Sequence, residues 1–288
     1  MKLSILIPTF NETCVKQVEQ LLEQLPEGCE IIVADDGSTD EGVKATNRAI
    51  VSLPHCRLWE APVNMGRAAI RNRLVGMAKG EWVLLLDAAI EIGEPDFLVH
   101  YLHATESGTE DVFVGTVVYP DECDAPYRLR WKYEREYRQG VDSGKDRRVC
   151  LKTGNCLIRR KVLLEVPLDE SIKWYGYEDT LLGEELLRRG YTMRNVPFRV
   201  LVRKLDRNEV FLKKMHEANL VLRAHASSLQ ASSRLLQTFA KAERLHLVWA
   251  IRLGHKLLHR LVEHQLCSER PSITLFQLWR LGDYCCTN

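Results

Sequence analysis

The chain has 288 residues, 45% of them apolar, and a formal net charge of +1 at pH 7. That length accommodates one large domain, or a domain with an appendage, around a sizeable core. The balanced charge excludes a global field that would gather nucleic acid, no apolar run nears the ~18 residues of a membrane span, and nine cysteines at scattered spacings make no readable disulfide framework or zinc pattern.

"LSILIPTF" (3–10) is a near-continuous apolar run, as expected for a strand buried on both faces. The start "MKLSILIPTFNE" reads as this strand and not as a leader, because the run stops at Thr9 with no small-residue cleavage site after it. Val15, Val18, Leu21, Leu22 and Leu25 share one stripe of a helix over 14–25, broken by Pro26-Glu27-Gly28. "EIIVA" (30–34) is the next strand and ends in Asp35-Asp36-Gly37-Ser38, after which Thr39 or Asp40 caps a helix. A short strand (56–61) precedes a helix over 64–80 closed by Gly80. "EWVLLLD" is a strand ending on Asp87, Pro95 opens another helix at its first turn, and "DVFVGTVVY" (111–119) is a strand.

This alternation predicts an α/β fold with a mostly parallel, doubly wound sheet. Ligands of such sheets sit outside the carboxyl ends of the strands. Thr9 to Glu12, Asp35 to Ser38 and Asp87 stand at those ends, so a polar rim is expected there. No G-x-G-x-x-G follows the first strand, which argues against a dinucleotide-dependent redox enzyme. Residues 120–150 are aromatic, basic and irregular, and beyond 205 the chain becomes helical. Residues 229–270 hold seven Lys/Arg against three acids, with four of the nine His. Within them, 235–266 reads as one amphipathic helix. Two placements stay open for it: on an anionic membrane surface, or packed against the domain or a dimer partner.

"IPTFNE", "VADDGSTD", "NMGRAAIRN", "GEWVLLLDA", "TGNCLIRR" and "GYEDTLLGEELLRRGY" follow one another across residues 3–195. In this order they resemble the family 2 glycosyltransferases of the GT-A fold. "DRNEVFLKK" (206–214) and "LFQLWRLGDYC" (275–285) resemble the bacterial branch that builds surface polysaccharide or lipopolysaccharide. The resemblance implies a catalytic domain at 1–205, with a nucleotide-sugar half (1–119) and an acceptor half (120–205), followed by a helical extension at 206–288. It implies inverting transfer of a sugar from a nucleotide-diphospho-sugar, UDP-linked, to a hydroxyl of a glycan or lipid-linked acceptor. The setting it implies, together with free thiols, is cytoplasmic or peripheral on the inner membrane.

The resemblance also assigns residues. Pro8, Thr9, Phe10 and Glu12 line the nucleoside pocket, and Asp35 or Asp36 accepts a hydrogen bond from the ring N–H of a pyrimidine. Arg67 and Arg71, four apart on one helix face, attract the diphosphate together with the helix N-terminus at 64–66. Asp179 is the general base, with Glu178 as the alternative. Gly154 and Asn155 line the acceptor side. The stretch 127–137 either contacts the acceptor, through Trp131, or packs as an amphipathic helix. A divalent cation, Mg2+ or Mn2+, is implied as well, but its motif is incomplete. Asp87 matches the first acid of Asp-x-Asp, which implies a contact with the donor, and Ala89 stands where the second belongs. A further ligand, a His, is expected near Val202, and no His occurs between 104 and 215. Three readings stay open: a metal-independent enzyme in which Arg203 or Lys204 supplies fixed charge to the donor, an enzyme with altered metal ligands, and a catalytically impaired relative that binds nucleotide-sugar or a partner transferase.

Overall fold

The computed structural model describes residues 1–138 and 149–287; the side chains at 107 and 136–138 lie outside that description, and with them the end of the stretch 127–137. Contacts divide the chain into two compact units. The first comprises Met1–Val118, Arg148–Lys173 and Glu178–Lys204; the second comprises Tyr119–Arg147, Trp174–Tyr177 and Leu205–Asn288. One boundary falls between Lys204 and Leu205, and the segments Tyr119–Arg147 and Trp174–Tyr177 group with the C-terminal helices.

In the first unit the described strands form one eight-stranded sheet in the order β3-β2-β1-β4-β7-β6-β8-β5. β1 (Leu3–Thr9), β2 (Cys29–Asp35), β3 (Cys56–Glu60) and β4 (Trp82–Leu86) run parallel. β7 (Asn155–Arg159) runs antiparallel to β4 and to β6 (Val112–Val118). β8 (Met193–Val202) is parallel to β6 and antiparallel to the short β5 (Ile90–Glu91). The strand order reverses between β1 and β4, so the crevice favoured for ligands opens where Thr9 and Asp87 end those strands.

The alternation of side chains along each strand builds two cores. Leu3, Ile5 and Ile7 of β1 face α1 (Val15–Leu22) and α4 (Phe97–Ser107), among Val18, Leu21, Phe97 and Tyr101. Leu6, Ile32, Val83 and Leu85 face α3 (Arg67–Met77) and α6 (Arg160–Glu165), among Ile70, Leu74, Val162 and Leu163. Burial of each such side chain stabilises by about 1.5–3 kcal/mol. The remaining helices of this unit are α2 (Glu41–Asn47) and α7 (Glu178–Arg188). Asp40, not Thr39, caps α2, accepting from Gly42 and Val43 N–H at 2.9 and 3.1 Å.

The helix expected over 64–80 begins only at Arg67, because Gly66 takes a left-handed conformation (φ 92°) and ends the preceding loop. Gly115 marks a bulge in β6. A Cβ there would come within 2.3 Å of both the Asn155 amide and the Tyr101 hydroxyl.

In the second unit, α5 (Arg128–Lys132) passes into a wider-wound turn (Tyr133–Arg138). It packs with α8 (Asn208–Ala224) and α11 (Ile273–Cys286) around Leu129, Phe211, Met215, Phe276 and Trp279. The single helix expected over 235–266 is in fact two, α9 (Arg234–Arg244) and α10 (Val248–Leu266). His246 adopts φ 56°, and Leu247 N–H reaches back to Ala242 C=O at 2.9 Å, a left-handed stop made without glycine.

Candidate active site

Two loops at the strand ends are stitched together. Asn11 (φ 51°) accepts from Thr39 and Asp40 N–H at 2.8 and 3.0 Å, and its own N–H donates to Ser38 Oγ at 2.7 Å. Thr9 Oγ1 donates to Glu12 C=O at 2.6 Å. Phe10 is left 46% exposed on this loop, and Pro8 is half-buried.

The adjacent acids Asp35 and Asp36 have different work. Asp36 spends both oxygens on Met65 and Gly66 N–H, at 2.7 and 3.1 Å, which fixes the loop before α3. Burial raises its pKa, against those two N–H donors. Asp35 accepts from Ser38 N–H at 2.6 Å through one oxygen, while its buried Oδ2 has no partner among the described residues. Gly37 (φ 71°) completes the knot, for a Cβ there would lie 2.5 Å from the backbone of Val63.

Arg71 is the most unusual group here. Its side chain is 2% exposed, its Nη2 donates to Asp87 Oδ1 at 2.6 Å, and its Nη1 donates to Arg67 C=O at 3.1 Å. Burial and the neighbouring Arg67 lower its pKa, and Asp87 and Glu178 act against them. Arg71 therefore holds Asp87 and presents no surface to a diphosphate, contrary to the expectation for it. Gly154 makes room for that acid: its C=O accepts from Asp87 N–H at 3.2 Å, and a Cβ would lie 2.8 Å from Asp87 Oδ2. Gly154→Ala is expected to displace the Asp87 carboxylate and so weaken the donor contact that the resemblance implies for it about tenfold, a ~1.4 kcal/mol effect readable by titration calorimetry.

Glu178 and Asp179 open α7, and their environments differ. Glu178 is buried and its Oε1 accepts from Arg67 Nε. Its burial would raise its pKa, but Arg67 and Arg71 outweigh that and hold the carboxyl below its usual value. Asp179 is half-buried and accepts from Thr180 N–H at 2.8 Å. A buried, ionised acid thus stands beside a half-buried one, and both act on Arg71.

The expected cation positions come together but lack donors. Ala89 C=O accepts from Arg203 N–H at 2.9 Å, and Ile90 pairs with Val202. The two positions where ligands are missing are therefore neighbours on adjoining strands. Among the described residues no group of three or more His, Cys, Asp or Glu could hold a metal ion. With Ala89 offering only an occupied carbonyl and Asp87 tied to Arg71, the residues present do not fit a divalent cation. Arg203 and Lys204 are exposed; Lys204 Nζ meets Glu12 Oε2 at 2.7 Å.

The family model for Glycosyl transferase family 2 matches residues 4–166, more than half of the chain. The chain belongs to glycosyl transferase family 2. Over 96 residues it is 36% identical to the uncharacterized glycosyltransferase YibD of Escherichia coli K12, covering 32% of this chain and 27% of that protein. Over 127 residues it is 28% identical to the glycosyltransferase GlyG of Streptococcus pneumoniae, covering 43% of this chain and 42% of that one. The matches thus span less than half the length of these relatives. Two solved structures share the fold. A mannosyltransferase from Pyrobaculum calidifontis, in complex with GDP-Man and Mn2+, aligns with a TM-score of 0.61 at 17% identity, over 98% of this chain and 86% of that one. S. aureus TarS in complex with UDP aligns with a TM-score of 0.52 at 18% identity, over 76% and 65%. The fold is GT-A, an α/β domain with a mostly parallel sheet and C-terminal helices.

Two residues expected on the acceptor side of this family 2 chain are structural instead. Asn155 is fully buried. Its Oδ1 accepts from Tyr101 hydroxyl at 2.7 Å and its amide donates to Phe198 and Thr116 C=O at 2.9 and 3.3 Å, so no atom is left to meet an acceptor. Trp131 donates its indole N–H to Pro120 C=O at 2.8 Å, and Arg135 stacks 5.4 Å over its ring. Both its polar handle and one face are taken, which favours packing for this stretch. The tail motifs have structural work too. Asn208 accepts from Leu129 N–H at 2.9 Å and donates to Ala125 C=O at 3.0 Å. Asp206 holds both Arg130 and Lys214. Sequence reasoning missed Arg280, which donates to the hydroxyls of Tyr133 and Tyr177 at 3.1 and 3.2 Å. Nothing local in "LWRLGD" announces it, because its partners lie more than 100 residues away.

Proposed function

We propose that this chain is an inverting glycosyltransferase whose donor is a UDP-linked sugar and whose base is Asp179. The observation that carries the reading is the unequal pair at the start of α7: Glu178 is buried and held below its usual pKa by Arg67 and Arg71, which makes it a weak proton acceptor, and the half-buried Asp179 beside it is the proposed base. The acceptor oxygen forms a bond to the anomeric carbon, its proton passes to Asp179, and the bond from that carbon to the diphosphate oxygen breaks, releasing the nucleoside diphosphate. Asp35 Oδ2 is the atom proposed to accept from the pyrimidine N–H, in a pocket with Thr9, Phe10 and Pro8. The first unit would then carry both donor and base. A relative named poly(ribitol-phosphate) beta-glucosyltransferase, 32% identical over 120 residues, supports a bacterial surface polymer, glycan or lipid-linked, as the acceptor class.

We further propose that fixed charge replaces the cation. Arg203 has no side-chain partner among the described residues and is joined through its backbone to Ala89. A guanidinium there, with Lys204 beside it, is suited to a departing diphosphate. Turnover of radiolabelled UDP-sugar is expected to be unchanged by excess EDTA and reduced at least about tenfold in Arg203→Ala. Loss of turnover on chelation overturns the metal-free reading. The incomplete ligand set also favours a second reading, a nucleotide-sugar binder without turnover. UDP-sugar binding with no product on a panel of glycan and lipid-linked acceptors would decide for it.

A further inference from the structure

The break at His246 changes what the C-terminal region offers. On α10, Trp249, Leu253, Leu257, Leu258 and Leu261 are 51–73% exposed. Trp249, Leu253, Leu257 and Leu261 recur every fourth residue, so they form one slowly winding stripe, with Leu258 at its edge. The opposite face, through Val262 and Leu266, packs into the second unit's core. Four large apolar side chains on one exposed stripe are more than scattered surface hydrophobics.

The charges around the stripe say what covers it. Arg252, Lys256, Arg260 and His264 are exposed on or beside it. The one acid of the helix, Glu263, accepts from the Trp279 indole at 3.1 Å. A cleft of about 420 Å³ at the start of α10 adds Arg223 and His246 to Arg252 and Trp249, against the single acid Glu243. A second copy laid on this face by two-fold symmetry would bring Lys256 and Arg260 against their own kind. No helix among the described residues is long and apolar enough to cross a membrane. Apolar residues flanked by basic ones, on a helix whose one acid is engaged by Trp279, suit a helix lying in the plane of an anionic bilayer.

We propose that α10 docks this protein on an anionic phospholipid surface, with Trp249, Leu253, Leu257 and Leu261 entering the headgroup boundary and Lys256, Arg260 and Arg252 meeting lipid phosphates. The proposal is independent of turnover and is tested without it. The intact chain is sedimented with vesicles of phosphatidylcholine alone, or of phosphatidylcholine with phosphatidylglycerol. Binding is expected to the mixed vesicles and not to the neutral ones. Lys256→Gln/Arg260→Gln is expected to weaken it about 30-fold, at about fivefold per basic group. Leu257→Asp/Leu261→Asp is expected to weaken it more than about 100-fold. All four residues are exposed, so unchanged circular dichroism and thermal midpoints are expected of both variants. Three results overturn the proposal: no binding to the mixed vesicles; equal binding to the neutral ones; or a dimer in buffer that the Leu257→Asp/Leu261→Asp variant lacks, which would make the face a contact between copies.

Discussion

Asp179→Asn is expected to lower kcat by about 100- to 10,000-fold while leaving nucleotide affinity and thermal stability unchanged, because a general base contributes on that scale and the amide is nearly isosteric. The amide oxygen can still accept from Thr180 N–H, so the start of α7 keeps its local bond. Glu178→Gln is expected to behave differently. It removes the charge that compensates Arg67, so stability falls by about 1–3 kcal/mol, and turnover falls through misplacement of the pair. The pH dependence separates the two. The folded pKa of Glu178 lies below its ordinary 4.5. Its stabilising contribution is therefore complete above the unfolded value and is lost only as pH falls through the depressed one. Glu178 is ionised throughout the neutral range. Any acid limb of kcat is therefore expected to persist in Glu178→Gln. Full turnover by Asp179→Asn would remove Asp179 from the mechanism, and a lost acid limb in Glu178→Gln would transfer the role to its neighbour.

The unequal pair also shows where the sequence is readable. Period-two and period-3.6 patterns depend on neighbours along the chain, so β1, β2, β4 and α3 are visible within a few residues of their true ends. The acids of the site are visible too, because strand ends announce them. Their assignments are not. Asp35 and Asp36 are alike in sequence and are distinguished by Met65 and Gly66 N–H, about 30 residues on, which take Asp36 out of ligand binding. Asn155 looks like a ligand residue until Tyr101 and Phe198 satisfy it. Arg71 reads as a phosphate contact because it shares a helix face with Arg67, but the sequence does not say that this face turns inward. In each case one long-range partner reverses the local reading. The stop at His246 fails for another reason: a left-handed His carries no pattern signal, whereas Gly at that place would.

The pair Arg71 and Asp87 yields the second large effect, and its sign differs between the partners. Asp87→Ala is expected to destabilise by about 3–5 kcal/mol, because it takes the hydrogen-bonded carboxylate from a buried guanidinium and leaves Glu178 and Asp179 as weaker counter-charges. Arg71 is 2% exposed, and its Nε has no hydrogen-bond partner among the described residues to soften the loss. Arg71→Met is expected to cost much less, about 1 kcal/mol, since the remaining Asp87 is 42% exposed and water can reach it. The double variant should then resemble Arg71→Met and not the sum of the two, a coupling of at least about 2 kcal/mol in urea unfolding. Donor binding follows another logic. Both single variants and the double variant are expected to bind nucleotide at least about tenfold more weakly, because each removes Asp87 or the group that aims it. Rescue of stability without rescue of binding would identify Arg71 as the positioning residue for Asp87. Additive stability losses would mean that the ion pair does not hold the acid, and that Asp87 is set by Gly154 and by the Gln17 amide, which donates to its backbone carbonyl at 3.0 Å.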